Sequence, residues 1–198
     1  MKYVNQKEYP DKLYTTGLDF EGEEREKGLT TTISSSGCGL CSAVMVASRL
    51  IPNCEFNLDD AMQMSYSCGA NHRKGTTYKI FAPVFAEAMG FDLEMTNDPE
   101  RVRYCLRTGG AAVLHSKGER DDYVGVFSHV GHYVVAVSEE RDGRIAVLDP
   151  EYEAAKYEEE GRSGLVEVKN GVIALCDMQV IVDDTAPADP SFYLFWRK

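Results

Sequence analysis

The chain is poor in histidine, poor in basic residues and free of long apolar runs. Its 198 residues hold four histidines, so chemistry that needs an imidazole has four candidates: His72, His115, His129 and His132. Lysine and arginine total 21 against 32 aspartates and glutamates, a formal charge of −11. A surface of that sign repels phosphate backbones, which argues against nucleic acid as a partner. No segment approaches the roughly 18 apolar residues of a membrane-crossing helix. The start, MKYVNQKEYPDKLY, lacks the apolar stretch of a signal peptide. With Met1 as the native start the chain is cytoplasmic, and with a leader already removed it is secreted or on the cell surface; the sequence leaves both open. There is no internal repeat and no low-complexity tract.

The length suits a single domain, residues 1–198, with a substantial core. The acidic runs Glu21 to Gly28 and Tyr152 to Gly161 read as solvated loops or helix faces. Six cysteines are present, and an even count permits a disulfide framework, but the chain is long for a stapled mini-domain and the spacings do not repeat. Cys105 and Cys176 lie in apolar contexts and read as buried thiols.

Helices come first. The opening 33 residues read as an extended arm with short strands. From Cys38 a helical stripe runs through Leu40, Ala43, Val44, Ala47, Leu50 and Ile51; a serine among Ser34 to Ser36 can cap it, and Pro52 ends it. Asn57 caps a second helix that stops at Gly69. A third runs from Gly75-Thr76-Thr77 to Gly90, kinked or shifted at Pro83. A fourth starts at Asp98-Pro99-Glu100 and stops at Gly109-Gly110.

Strands follow: AAVLHS, HYVVAVS, RIAVLD, then GLVEV and VIALCD around a Lys169-Asn170-Gly171 turn, then VIVD and SFYLFW. Tyr133 and Trp196 read as packing residues. The expected class is α+β, a helical lobe over about 34–110 and a mostly antiparallel sheet lobe over about 111–198.

The stretch SSSGCGLCSAV sets two cysteines one helical turn apart. Cys38 stands at the helix start, where unpaired N–H groups and the helix dipole favour a thiolate. Gly37 and Gly39 leave the backbone open for a substrate carbonyl to approach. Cys41 lies one turn inward, on the side of Val44, and is expected to be buried.

A thiolate nucleophile needs a base, and the base an orienting group. His132 opens a strand, and Asp149 ends the next one. Residues opposite each other on an antiparallel hairpin share a face. A four-residue loop, Glu139 to Asp142, sets His132 directly opposite Asp149. A tight Asp142-Gly143 loop sets Asp149 opposite Ala136, about 13 Å from His132.

Taken together, SSSGCGLCSAVMVAS, GTTYKIFAPVFAEAMG, GGAAVLHS, GHYVVAV and VLDP resemble the papain-like cysteine peptidases related to bacteriocin-leader (double-glycine) peptidases, in their stand-alone branch. The match covers roughly Gln6 to Pro150. The resemblance implies a papain-like fold with Cys38 as nucleophile, His132 as base and acid, and Asp149 as its orienting group. It further implies an upstream glutamine as oxyanion donor beside the nucleophile's own N–H. Gln6 is the only glutamine before Cys38. The implied substrate is a peptide or protein with small residues such as glycine before the cut, and no metal or cofactor is required. Leu40 stands where the family often has proline, Cys41 where a small polar residue is usual, and Asp11 where an aromatic is expected.

Three other readings remain open at this stage. One is an inactive papain-like peptide-binding module; separately, Gln6 can be read as a surface polar residue on a frayed terminus. A second is a zinc site from Cys38, Cys41, His129 and His132, although an odd offset turns two histidines on one strand to opposite faces. The third is a Cys38–Cys41 redox pair, for which the expected βαβ setting is missing.

Overall fold

The computed structural model describes residues 1–16, 29–72, 75–153 and 155–198. The acidic run Glu21 to Gly28 lies outside them.

Along the chain, a 3-10 turn at Gln6–Glu8 precedes β1 (Leu13–Thr16) and β2 (Leu29–Thr32). Then come α1 (Ile33–Ser36), α2 (Cys38–Leu50), α3 (Leu58–Ser67), the short strands β3 (Asn71–His72) and β4 (Gly75–Thr76), and α4 (Tyr78–Met89). β5 (Phe91–Thr96) and α5 (Pro99–Arg107) lead into β6 (Ala111–Ser116), β7 (His132–Glu139) and β8 (Ile145–Leu148). A second 3-10 turn at Lys156–Glu158, β9 (Val166–Lys169), β10 (Ile173–Cys176), α6 (Met178–Thr185) and β11 (Phe192–Arg197) complete it. Among the described residues, no helix is long and apolar enough to cross a membrane.

Seven strands form one antiparallel sheet in the order β5-β11-β6-β7-β8-β10-β9. The class is α+β, as the sequence implies, but three elements cross its expected division. β5 comes from the helical half and joins the sheet edge beside β11. Its short, mixed pattern gives little strand signal. α5 packs on the sheet face opposite α2, through Val102, Cys105 and Leu106. The expected strand VIVD lies instead within α6, where Met178, Ile181 and Thr185 turn inward at helical spacing. A four-residue window is too short to tell the two periods apart.

The sheet therefore carries a core on each face. One lies under α2, α3 and α4, with Val113, Val135, Val137, Leu148 and Phe195 from the sheet. The other lies under α5 and α6, with Leu114, Val134, Ala136, Val147 and Leu194. α2 is buried almost all round, including Met45 and Val46, rather than along one stripe. A helix apolar on every side belongs in an interior, and α2 is the central support of the first core.

Three local turn and cap signals land where they point. Asn57 Oδ1 accepts from the N–H groups of Asp59 and Asp60. Asp98 Oδ1 accepts from Glu100 N–H. Asn170 and Gly171, both at positive φ, turn β9 into β10. The serines differ from expectation: Ile33–Ser36 is itself a helical turn, and the N-cap of α2 is Gly37, which has no side chain to offer. A Cβ at Gly37 would lie 2.6 Å from Ile33 O, so the close join of α1 and α2 requires glycine there.

Candidate active site

Cys38 is the first residue of α2, partly exposed, at the mouth of a cleft of about 450 Å³. The first N–H groups of a helix have no partner within it, so the Cys38 N–H is an available donor. The cleft is lined by Gln6, Thr31, Ser35, Ser36 and Cys38 on one side and by Ser128, Val130, Gly131, His132 and Glu151 on the other. The flanking glycines serve packing rather than substrate approach. A Cβ on Gly39 would meet Thr76 at 3.1 Å and the rings of Tyr78 and Tyr133 at 3.4 Å.

His132 begins β7, is buried, and lines the same cleft as Cys38, whose sulfur acts electrostatically on the ring. Its Nε2 lies 2.7 Å from Asp149 Oδ1. That leaves Nδ1 as the ring nitrogen for the sulfur. Burial lowers the His132 pKa, but the Asp149 charge and hydrogen bond outweigh it and hold the imidazolium to about 9.

Asp149 is fully buried and completely satisfied. Oδ1 also accepts from Glu151 N–H at 2.8 Å, while Oδ2 accepts from Lys156 Nζ at 2.6 Å and Tyr157 OH at 2.7 Å. Burial alone would raise its pKa; the cations His132 and Lys156 hold it well below the ordinary carboxylate range. The carboxylate is therefore an acceptor for every group around it.

The register that joins the pair is neither of the two expected. The loop closes at Arg141 to Gly143, with Glu140 and Arg144 joined by a backbone hydrogen bond and Gly143 at positive φ. Ser138 pairs Ala146, a bulge follows, and Ala136 pairs Val147. Continuing that ladder sets Asp149 opposite Val134, two residues from His132 and on the same face. The contact is a diagonal one, which long side chains reach.

The N-terminal arm is stitched to the same turn. Gln6 N–H donates to Pro150 O at 2.7 Å, Tyr3 OH to Asp149 O at 2.7 Å, and Asn5 Nδ2 to Tyr152 O at 2.9 Å. Lys7 Nζ pairs with Glu151 at 2.7 Å. Gln6 is consequently buried, not a frayed surface residue, and its Nε2 donates to Ser34 O at 2.9 Å. An amide nitrogen carries two protons, so a second donor remains on Gln6.

Sequence reasoning missed Lys156, Tyr157 and Tyr3. The run Tyr152 to Gly161 is not simply solvated: Glu158, Glu159 and Glu160 are exposed, but Lys156 and Tyr157 between the carboxylates are buried against Asp149. The available signal was that Lys156 is the only cation of that run.

The CxxC and HxxH pairs do not converge. Cys41 is sealed in the core, where burial pushes its thiol well above the ordinary range. His129 is exposed and faces Glu119 and Glu159. Among the described residues, no three or more His, Cys, Asp and Glu side chains gather as a metal site. All six cysteines are free thiols, with Cys105 and Cys176 buried as expected.

No family model matches the sequence, nor does any curated protein. Among solved structures, the chain is similar to a Bacillus anthracis protein provisionally assigned as a C39-like peptidase. The TM-score is 0.52 over 82% of this chain and 89% of that one, at 9% identity. At that identity the likeness is one of architecture. The chain has a C39-like peptidase fold: helices and a large antiparallel sheet, with the Cys38 helix start and the His132 strand start meeting at one cleft.

Proposed function

We propose that this chain is a cysteine peptidase or amide hydrolase acting through Cys38, His132 and Asp149, with Gln6 as oxyanion donor, in the manner of the stand-alone double-glycine peptidase relatives. The observation that carries the reading is one arrangement. A partly exposed thiol at a helix start shares a cleft with a buried imidazole whose far nitrogen is held 2.7 Å from a buried carboxylate.

The chemistry follows from that order. With His132 held as imidazolium, Cys38 attacks a peptide carbonyl as its thiolate. The tetrahedral oxyanion is met by the Cys38 N–H and the free proton of Gln6 Nε2. His132 Nδ1–H protonates the amide nitrogen, the C–N bond breaks and a thioester remains. Neutral His132 then takes a proton from water, hydroxide attacks the thioester, and the acid leaves as the thiolate is restored. Asp149 stays ionised and fixes the ring. The small side chains Thr31, Ser35, Ser36, Ser128 and Gly131 along the cleft support a peptide with small residues near the cut.

A peptide library incubated with the full chain tests this. Cleavage by the native protein, lost in Cys38→Ala and in His132→Ala, is expected. No Cys38-dependent cleavage of any library member would contradict it.

A further inference from the structure

Asp149 holds two cations, where a thiol–imidazole–carboxylate site needs only one. Lys156 Nζ is 2.6 Å from Oδ2, and the lysine is almost fully buried. A lysine in that setting is rarely accidental, because burial of an ammonium is costly unless it is paired and hydrogen-bonded. Its pairing is close to complete: besides Asp149, Nζ reaches Glu151 O at 3.4 Å.

We propose that Lys156 is a positioning residue that extends the Cys38–His132–Asp149 line to a fourth member and keeps its charge balanced. This rests on the proposed reading of those three residues. With the thiol and a neutral ring, Asp149 and Lys156 sum to zero. With thiolate and imidazolium, the four groups again sum to zero. Proton transfer between Cys38 and His132 then moves charge within a neutral site, and Asp149 need never bind a proton to make up for a neutral ring. The ammonium also offsets part of the carboxylate's pull on the ring, so that His132 can release its proton to a leaving amine.

The geometry supports a direct electrostatic effect. Lys156 and His132 sit on opposite oxygens of one carboxylate, which sets the cations roughly 5–7 Å apart, close enough to couple by about one pK unit. The other charged and titratable groups facing this cluster are Cys38 from α2, Tyr3 and Lys7 from the arm, Glu151 and Tyr157 from the turn after β8, and Cys176 of β10 behind Tyr157; His129, Glu153, Glu159 and Arg162 line the pocket that Lys156 shares with Lys7 and Glu151. Glu151 is paired with Lys7 at 2.7 Å, which leaves Lys156 to Asp149 as the second cation on the carboxylate that holds the ring.

The test is the pH profile of Cys38 alkylation by iodoacetamide, followed by mass spectrometry of the peptide carrying Cys38. The native profile is expected to rise once as the thiolate forms beside imidazolium and again as the imidazolium loses its proton. Lys156→Gln keeps a donor to Asp149 but removes the charge. Loss of that cation stabilises the imidazolium and destabilises the thiolate, so both inflections move to higher pH, the upper one by about one unit. Lys156→Arg keeps the charge and is expected to restore the native inflections. Tyr157→Phe removes a neutral hydrogen bond to the same oxygen and is expected to leave them in place, which separates charge from support. Should Lys156→Gln fail to fold, the Arg and Phe pair still decides: inflections moved in Lys156→Arg, which keeps the charge, or moved upward by about one unit in Tyr157→Phe, which keeps it too, would overturn the proposal. Unmoved inflections in a folded Lys156→Gln would do the same. A native protein in which Cys38 alkylation ignores His132 would instead refute the peptidase reading itself.

Discussion

His132 Nε2 lies 2.7 Å from Asp149 Oδ1 although no ladder pair joins the two residues. The bulge between Ala136 and Ser138 makes the contact possible, because it moves the register of β7 against β8 by one position. Asp149 then shares a face with His132 at diagonal distance. The contact sets the protonation of the ring.

Removing Asp149 therefore reverses the sign of the effect described for Lys156. Its charge is what holds His132 above the ordinary imidazole range against burial. In Asp149→Ala the upper inflection of the Cys38 alkylation profile is expected to fall from about 9 to below the ordinary value near 6.5. Peptide cleavage at neutral pH is expected to drop at least about tenfold, read from kcat/KM.

If Gln6 is the oxyanion donor proposed above, Gln6→Ala separates oxyanion stabilisation from thiol activation. Loss of one oxyanion donor typically costs about 10²–10³ in kcat. Cys38 alkylation forms no oxyanion and is expected to be unchanged. The buried side chain also bonds Ser34 O, so about 1 kcal/mol of stability is expected to go with it, measured by urea unfolding.

Gly37→Ala tests the join between α1 and α2. The new Cβ would lie 2.6 Å from Ile33 O and 2.7 Å from Ile33 Cγ2, so the backbone beside Cys38 must shift. Overpacking of this kind costs about 1–3 kcal/mol. A lower denaturant midpoint together with slower Cys38 alkylation is the expected outcome.

Stability should also depend on pH through three groups at and beside the cleft. His115 is partly buried, stacks on Tyr133 at 4.5 Å between ring centres, and is pushed down to about 4, chiefly by desolvation of its ring. The unfolded chain takes up that proton first, so stability falls as pH drops from about 6.5 towards 4. His132 acts oppositely: its contribution is complete below about 6.5 and is lost as pH rises through about 9. Asp149, whose pKa is lowered, contributes fully above about pH 4 and loses its contribution in stronger acid. His115→Phe keeps a ring against Tyr133 and removes the titration. Its unfolding free energy is expected to flatten between pH 6.5 and 4, by up to about 3 kcal/mol relative to the native slope.

What could be read from the chain follows from the range of each signal. Asn57, Asp98, Pro99 and Asn170-Gly171 act within a few residues, and the structure uses each as the sequence implies. The long stripe from Leu40 to Leu50 and the Cys38 helix start were legible for the same reason. β5 and α6 were not, because a short edge strand and a helix of eight residues carry too few positions to fix a period. The hairpin register was bracketed but not found, since a bulge at Val137 leaves no mark in alternating Val and Ala. Lys156 and Tyr157 stayed hidden inside an acidic run, because burial of a single cation depends on a carboxylate supplied by a neighbouring turn.

The central claim is that His132 activates Cys38, and alkylation near pH 6 tests it most directly. At that pH an unperturbed thiol is about 0.3% thiolate. The account predicts selective iodoacetamide labelling of Cys38 over Cys54 and Cys68, the other partly exposed thiols, and a drop of up to about 10²-fold in His132→Ala. Labelling of native Cys38 no faster than that of Cys54 and Cys68, or undiminished in His132→Ala, would contradict it.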